Sequence, residues 1–581
     1  MNGLILLVCA LLYFALGYKF YGGFIARLFK VDNSIPTPAV VNQDGVDYVP
    51  THPGVLFGHH FASIAGAGPI IGPIVACQFG WLPALLWIFI GCVFIGAMHD
   101  FAALFLSVRN NGRSIGYIIE KIMSIWGRQL FLFFCWACLI LVVAVFGTLV
   151  ANTFVSNPAV ATASIIFILM APVFGFVTSK GVSLRTASII FVPLVFVSVY
   201  VAYKFPLDLG ALFGLEKEGV RNVWLAFLGI YALVASVCPV QWLLQPRDYL
   251  SSYLLYAMII LGVLGIVVYN PSIEMSDFTG FVVDNGTSRS SLFPDLFILI
   301  ACGACSGFHS LVSSGTTSKQ IRAEKDIQLI GYGGMIVEGV LGVMSLIAVI
   351  WLSDVSFAEA VKNPVTAFSS GIGTFVGALG LPVELCTVFI SLSISAFMLT
   401  SLDTATRLGR FVWQELFSPS YTRQQNMENG TEKQKIDFVA PRKKHGAVMD
   451  AMLGVIGVVR KFSANAFMAS LLVLLLAGLM VFSGSATAIW PVFGASNQLL
   501  ASLTLLAVTI YLFAKKSHYL IALIPTVLMI VMSIWGLVEI AAKYFSTNAV
   551  LTVSSIFLIF MALMLVLLSL TIVIRTIRYR V

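Results

Sequence analysis

Gly58-His59-His60-Phe61-Ala62-Ser63-Ile64-Ala65-Gly66-Ala67-Gly68-Pro69-Ile70-Ile71-Gly72-Pro73 is the stretch that decides the fold. It lies in an apolar run over 55–77, and about 20 such residues cross a bilayer as a helix. Gly66, Gly68, Pro69, Gly72 and Pro73 crowd its second half. A spanning helix satisfies its backbone groups internally, so breakers at mid-membrane leave carbonyls and amides free. In lipid each freed group costs several kcal/mol; beside a cavity it can hold an ion or a carboxylate. A kink, or close packing through small residues, is the blander reading. His59, His60 and Ser63 on the same segment weigh against it.

The rest of the chain has the same solvent. Its 581 residues are 59% apolar and 10% charged, with a mean hydropathy of +0.97. Soluble domains run near 45–50% apolar and about 25% charged, which excludes a water-soluble enzyme. Fifteen apolar runs follow one another from 2–20 to 549–574, so the expected fold is an all-α polytopic membrane bundle of about 15 transmembrane helices. Leu4 to Leu16 has no basic residue before it and Lys19, Arg27 and Lys30 after it, which favours a retained helix over a cleaved signal. All nine cysteines lie in apolar runs, away from a disulfide framework. The net charge of +8 suggests nucleic acid only until the basic residues are placed. Alternate connections, starting after the first helix, hold 28 of the 34 lysines and arginines. That alternation puts the N-terminus outside and the C-terminus in the cytoplasm of a bacterial inner membrane. A polar stretch at about 417–462 then reads as a cytoplasmic linker with a basic face toward anionic lipid.

A second interrupted span is read between Tyr231 and Tyr249, through Cys238-Pro239-Val240-Gln241-Trp242 and Gln245-Pro246-Arg247-Asp248. Two broken spans five helices apart suit an inverted five-plus-five repeat. The expected units are a peripheral helix at 1–30, repeats at 55–204 and 222–404, a polar linker at 405–464 and a four-helix region at 465–581. The run from Ala301 to Thr317 is also unusual, with Ser306, His309, Ser313, Ser314, Thr316 and Thr317 in it. Those hydroxyls suit an oxygen cage with carbonyls of the first break, or simple helix packing.

Together these stretches resemble the carbon starvation protein A (CstA) family. The resemblance is carried by Gly58 to Pro73, Gly96 to Phe101, Leu243 to Leu250, Ala301 to Lys319, Thr400 to Leu408 and Phe493 to Ala501. It covers roughly residues 1–510, and the last helices match less distinctively. The resemblance implies peptide and pyruvate uptake and membership of the amino acid–polyamine–organocation superfamily, with its leucine-transporter-like inverted repeat.

Ionisable groups in a membrane cost about 2.5–3.5 kcal/mol each on insertion scales, so they are functional candidates by default. Here they are His59, His60, His99, Asp100, His309, Glu338 and Asp403. His59, His60, Ser63, Gly66, Gly68, Gln241, Gln245, Ser306 and His309 are the expected substrate-binding residues. His99, Asp100, Ser313, Ser314, Thr316, Thr317, Glu338 and Asp403 are the expected ion-coupling set, and Arg247 with Asp248 a gate or a structural ion pair. Histidine titrates near physiological pH, which favours a proton as coupling ion, with sodium on the hydroxyls as the alternative. One proton moving down 100 mV supplies about 2.3 kcal/mol, roughly 50-fold accumulation of a neutral substrate. Gly-rich backbone amides favour a carboxylate, which pyruvate and short peptides both carry. No organic cofactor, metal or nucleic acid is expected. The rival readings are a zinc or copper site on Cys302, Cys305 and His309, and a passive channel.

Overall fold

The computed structural model describes residues 2–45, 47–239, 243–284, 289–417, 465–483 and 486–578. Each of the fifteen apolar runs is helical in it. Among the described residues twelve helices are long and apolar enough to cross a membrane, and the bent pair Pro53–Ile64 and Gly68–Phe79 makes a thirteenth if it is one span. The other two runs fall short for local reasons. The 293–315 run divides into Leu292–Leu299, Ala301–Ala304 and Gly307–Gly315. The 465–484 run forms Ala466–Ser483, 18 residues long. The chain is a helical polytopic membrane protein.

Its connections sort to two ends. At one end, rich in basic residues, the Thr37 hydroxyl donates to the Ile321 carbonyl at 2.6 Å and Thr51 N–H to Gln320 O at 3.0 Å. Arg109 there bridges the Lys30 carbonyl and Glu324, and Ser114 donates to Glu415 at 2.6 Å. At the opposite end Gly3 N–H donates to Pro271 O at 2.8 Å, Leu82 N–H to Asp277 O at 3.1 Å and Glu274 N–H to Ile350 O at 3.0 Å. This sorting requires that 53–79 and 292–315, broken as they are, each carry the chain across once.

Two helices are longer than the bilayer needs. Ile125–Ser156 and Val383–Leu416 have 32 and 34 residues and pack along each other. At 1.5 Å per residue each is about 50 Å long against a hydrocarbon core of about 30 Å, so both tilt or project. Between the spans, Pro364–Gly377 is a 14-residue helix packed on Val383–Leu416 and Leu244–Tyr269.

The interruption expected inside one span at 231–249 falls instead between two spans. Lys217–Val237 stops because Pro239 disfavours helical geometry at the residue before it, and Cys238 is extended with ψ 147°. Leu244–Tyr269 then begins, with Pro246 in its first turn where proline is tolerated. Gln241 and its neighbours at 240–242 lie outside the described residues, as does the linker over 418–464. The second true interruption is at 300–306, and it faces the first.

Candidate functional site

The first break comes after Ile64. Ala65 leaves helical geometry at φ −75°, ψ 70°, and the axis has turned 48° when the helix resumes at Gly68. Missing side chains allow this. A Cβ on Gly68 would lie 2.2 Å from Cys302 Cβ, and one on Gly72 would lie 2.3 Å from the Leu299 carbonyl. The first broken span therefore touches the second at its own break.

On the second span Ile300 (φ −95°, ψ 37°), Cys305 (φ −163°, ψ 117°) and Ser306 (φ −118°, ψ 126°) depart from the helix. Asn497, from Ala486–Ala514, fills the gap. Its Oδ1 accepts from Phe308 N–H at 2.9 Å, and its Nδ2 donates to Ser306 Oγ at 3.0 Å and Cys302 Sγ at 3.2 Å. Asn497 thus supplies backbone and side-chain bonds that the broken helix cannot. The same break separates Cys302 and Cys305 from His309, so the single helical face expected for a metal site does not form.

Beside the breaks a first cluster of ionisable groups is closed off from solvent. His309 Nδ1 is 2.7 Å from Asp100 Oδ2, and its Nε2 is 3.4 Å from Glu338 Oε2. His99 Nδ1 is 2.7 Å from the other Asp100 oxygen. All four side chains are 0% exposed, and neither Glu338 oxygen has a hydrogen-bond partner. The Trp81–Arg109 span carries a π-helical turn at Gly91–Gly96, just before His99 and Asp100. The Gln328–Ile347 span carries another at Gln328–Tyr332, before Glu338. Such turns shift a side chain's facing within a span and are frequent at functional sites. Two carboxylates and two imidazoles in one dry space can hand a proton among themselves without leaving a lone buried charge.

A second cluster joins Arg247, Asp248, Asp403, Tyr231 and His59. Arg247 bonds to Asp403 and to the Tyr231 hydroxyl, and its Nη2 donates to Asp248 Oδ1 at 3.0 Å. Tyr231 donates to Asp403 at 2.9 Å, Thr400 to Asp248 at 3.2 Å, and His59 Nδ1 is 3.4 Å from Asp248 Oδ2. Arg247 and Asp248, near the start of Leu244–Tyr269, are 0% and 2% exposed.

The two histidines of the first break face different partners. His59 meets Asp248, whereas His60 Nδ1 is 2.9 Å from the Thr317 hydroxyl. Other expected site residues stay apart from the clusters. Ser63 donates to its own helix at His59 O, Ser314 to Ser310 O and Thr316 to Val312 O. Of the expected oxygen cage, only Ser313 is buried without a partner. Gln245 is exposed. Tyr231, Thr400 and Asn497 were not picked out from sequence as site residues. Asn497 had a signal, the polar triplet Ser496-Asn497-Gln498 inside an apolar run.

The sequence profile of the family described as "Carbon starvation protein CstA" matches residues 2–362, 356–440 and 442–536. This chain belongs to the CstA family. Its similar relatives include a Campylobacter jejuni protein named "Peptide transporter CstA", 31% identical, with 94% of this chain and 82% of the relative covered. The Escherichia coli K12 "Pyruvate/proton symporter BtsT" is 31% identical, with 94% and 82% covered. A Bacillus subtilis "Peptide transporter CstA" is 31% identical over 90% of this chain and 88% of its own length. Solved structures similar to this CstA-family chain include a manganese transporter of Eremococcus coleocola, with a TM-score of 0.41, 12% identity, and 92% and 99% of the two chains covered. Mhp1, a nucleobase-cation-symport-1 family transporter in a closed conformation, has a TM-score of 0.40 and 12% identity, with 87% and 96% covered.

Proposed function

We propose that this chain is a secondary active transporter that imports short peptides, pyruvate or both across the inner membrane by proton symport when carbon is limiting. The observation that carries the reading is His309 held between Asp100 and Glu338, fully buried, on the broken span that meets the first break. A proton carrier must be titratable and enclosed; His309 is both. The names of the relatives support the same substrates and the same coupling ion.

In this mechanism the half-helix Pro53–Ile64 is the moving part. It is free of its continuation at Ala65, and it reaches the Arg247 cluster through His59 and the Gly307–Gly315 side through His60. A change of charge around His309 then alters what His60 and Thr317 hold, and the half-helix transmits it to the His59–Asp248 contact, the gate at the basic end. Backbone amides freed at the breaks receive the solute's carboxylate. Protons are preferred to sodium because a titratable imidazole, His309, sits between Asp100 and Glu338.

The inverted repeat is reframed in this proposal. The two facing breaks lie seven crossings apart, an odd interval that inverts one unit relative to the other. The units are then 53–269 and 292–514, with Pro158–Ser179 and Leu184–Lys204 as an additional pair. The π-helical turns in the second member of each unit, and the long crossed helices in the third, support that pairing. The basic end is cytoplasmic by the lysine and arginine count.

The test is proton movement. Adding pyruvate or dialanine to de-energised proteoliposomes should make the external medium alkaline in step with uptake. Uptake that requires sodium and moves no protons would overturn proton coupling.

A further inference from the structure

Two arginines near the Arg247 cluster are not explained by it. Arg407 and Arg410 follow Asp403 by four and seven residues on Val383–Leu416, so the three side chains share a face running toward the basic end. Arg410 is 6% exposed and its Nε has no hydrogen-bond partner. Arg407 donates to the Cys238 carbonyl at 3.3 Å, the freed end of Lys217–Val237. Both guanidinium groups lie on one ring, 5.5 Å and 4.5 Å from the centre of Phe411. Among the described residues neither arginine has a carboxylate within 4.0 Å. Among the described residues Asp47 is the acidic group whose field reaches both, without contact.

A ring face compensates a cation weakly, and two like charges gathered at the edge of a low-dielectric bundle repel each other. Elsewhere in this chain buried arginines are matched: Arg247 by two carboxylates, Arg128 by Glu120 and the Glu415 carbonyl. The Arg407–Arg410 pair has the charge to take an oxyanion, since a guanidinium fork donates paired N–H groups to a carboxylate or phosphate.

We propose that Arg407 and Arg410 form a second carboxylate site, on the release side of the Arg247 cluster. There the transported solute's carboxylate is held between the helix breaks and the aqueous phase at the basic end. The inference rests on the reading of the chain as a carboxylate transporter and adds a site to it. It predicts an asymmetry, because a site reached first from one side sets the apparent affinity from that side.

The experiment uses the full chain in right-side-out and inside-out membrane vesicles, with pyruvate and dialanine as probes and exchange flux as readout. Arg410→Gln should raise the half-saturation concentration at the basic side about tenfold or more, as loss of a charge-assisted bond predicts, and leave the other side within about twofold. Arg410→Lys should restore part of the loss. Arg407→Gln, at the less buried partner, should give the same asymmetry and serves if Arg410→Gln does not assemble. Equal effects on both sides, or none, overturn the site. A phospholipid headgroup is the other source of an oxyanion. An asymmetry seen in phosphatidylglycerol liposomes and absent in phosphatidylcholine would assign the pair to lipid and overturn the proposal. If the unmodified chain moves neither probe, the transport reading itself falls; if it moves them and the variants match it, only this site does.

Discussion

Glu338→Gln separates a coupling role from a structural one. Glu338 Oε2 lies 3.4 Å from His309 Nε2, and neither of its oxygens has a hydrogen-bond partner. At an effective dielectric near 20, opposite charges at that distance attract by about 5 kcal/mol. Replacing Glu338 regains its own desolvation cost, several kcal/mol. The two terms nearly cancel, and the glutamine oxygen still faces His309. The variant should therefore fold with a stability change within about 2 kcal/mol, a shift of only a few degrees in its thermal midpoint. Its transport should change completely. A zwitterionic dipeptide entering with one proton moves one net charge, so 100 mV sustains about 2.3 kcal/mol, a gradient of about 50-fold. Pyruvate entering with one proton moves none and follows the pH gradient, about tenfold per unit. Glu338→Gln proteoliposomes should exchange labelled dialanine across the membrane and fail to accumulate it when a potassium diffusion potential is imposed. Accumulation within twofold of the unmodified protein, at matched protein density, would refute the assignment of Glu338 to the proton site.

Asp100→Asn should fail differently. It removes the charge that accepts from both His99 and His309 at 2.7 Å, and charge-assisted bonds are worth about 1.5–3 kcal/mol each. A loss of about 3–6 kcal/mol should appear in thermal unfolding of the detergent-solubilised protein, together with loss of transport. Gly68→Ala places a methyl 2.2 Å from Cys302 Cβ, an overpacking cost of about 1–3 kcal/mol. Uptake should fall, and Cys302→Gly, which removes the opposing atom, should restore part of it. No recovery in the double variant would show that the breaks do not meet at that pair.

Much of the site was legible because local chemistry marks it. His59, His60, Asp100, His309, Glu338, Asp403 and Arg247 stand out in any apolar run, since each costs free energy there. Their partners were not legible. Asp100 and His309 are 209 positions apart in the chain and 2.7 Å apart in space. The hydroxyls at Ser314 and Thr316 read as cation ligands, yet each donates to the carbonyl four residues earlier on its own helix. Asn497 was visible as a polar residue in an apolar run, but its task exists only because another span breaks beside it.

Sequence by itself determined the solvent, the fifteen apolar runs, the alternation of basic connections and a break near Gly66, because hydropathy, charge and helix breaking act within a few residues of one another; Gly68 to Pro73, also read as breakers, are helical. Tertiary structure alone decided which break faces which. Pro239 in an apolar stretch reads the same whether the chain continues through the membrane or turns back, and packing placed it between two spans. Proximity of groups far apart in the chain is set by how helices pack, so the His309 and Arg247 clusters appear only once the spans are assembled.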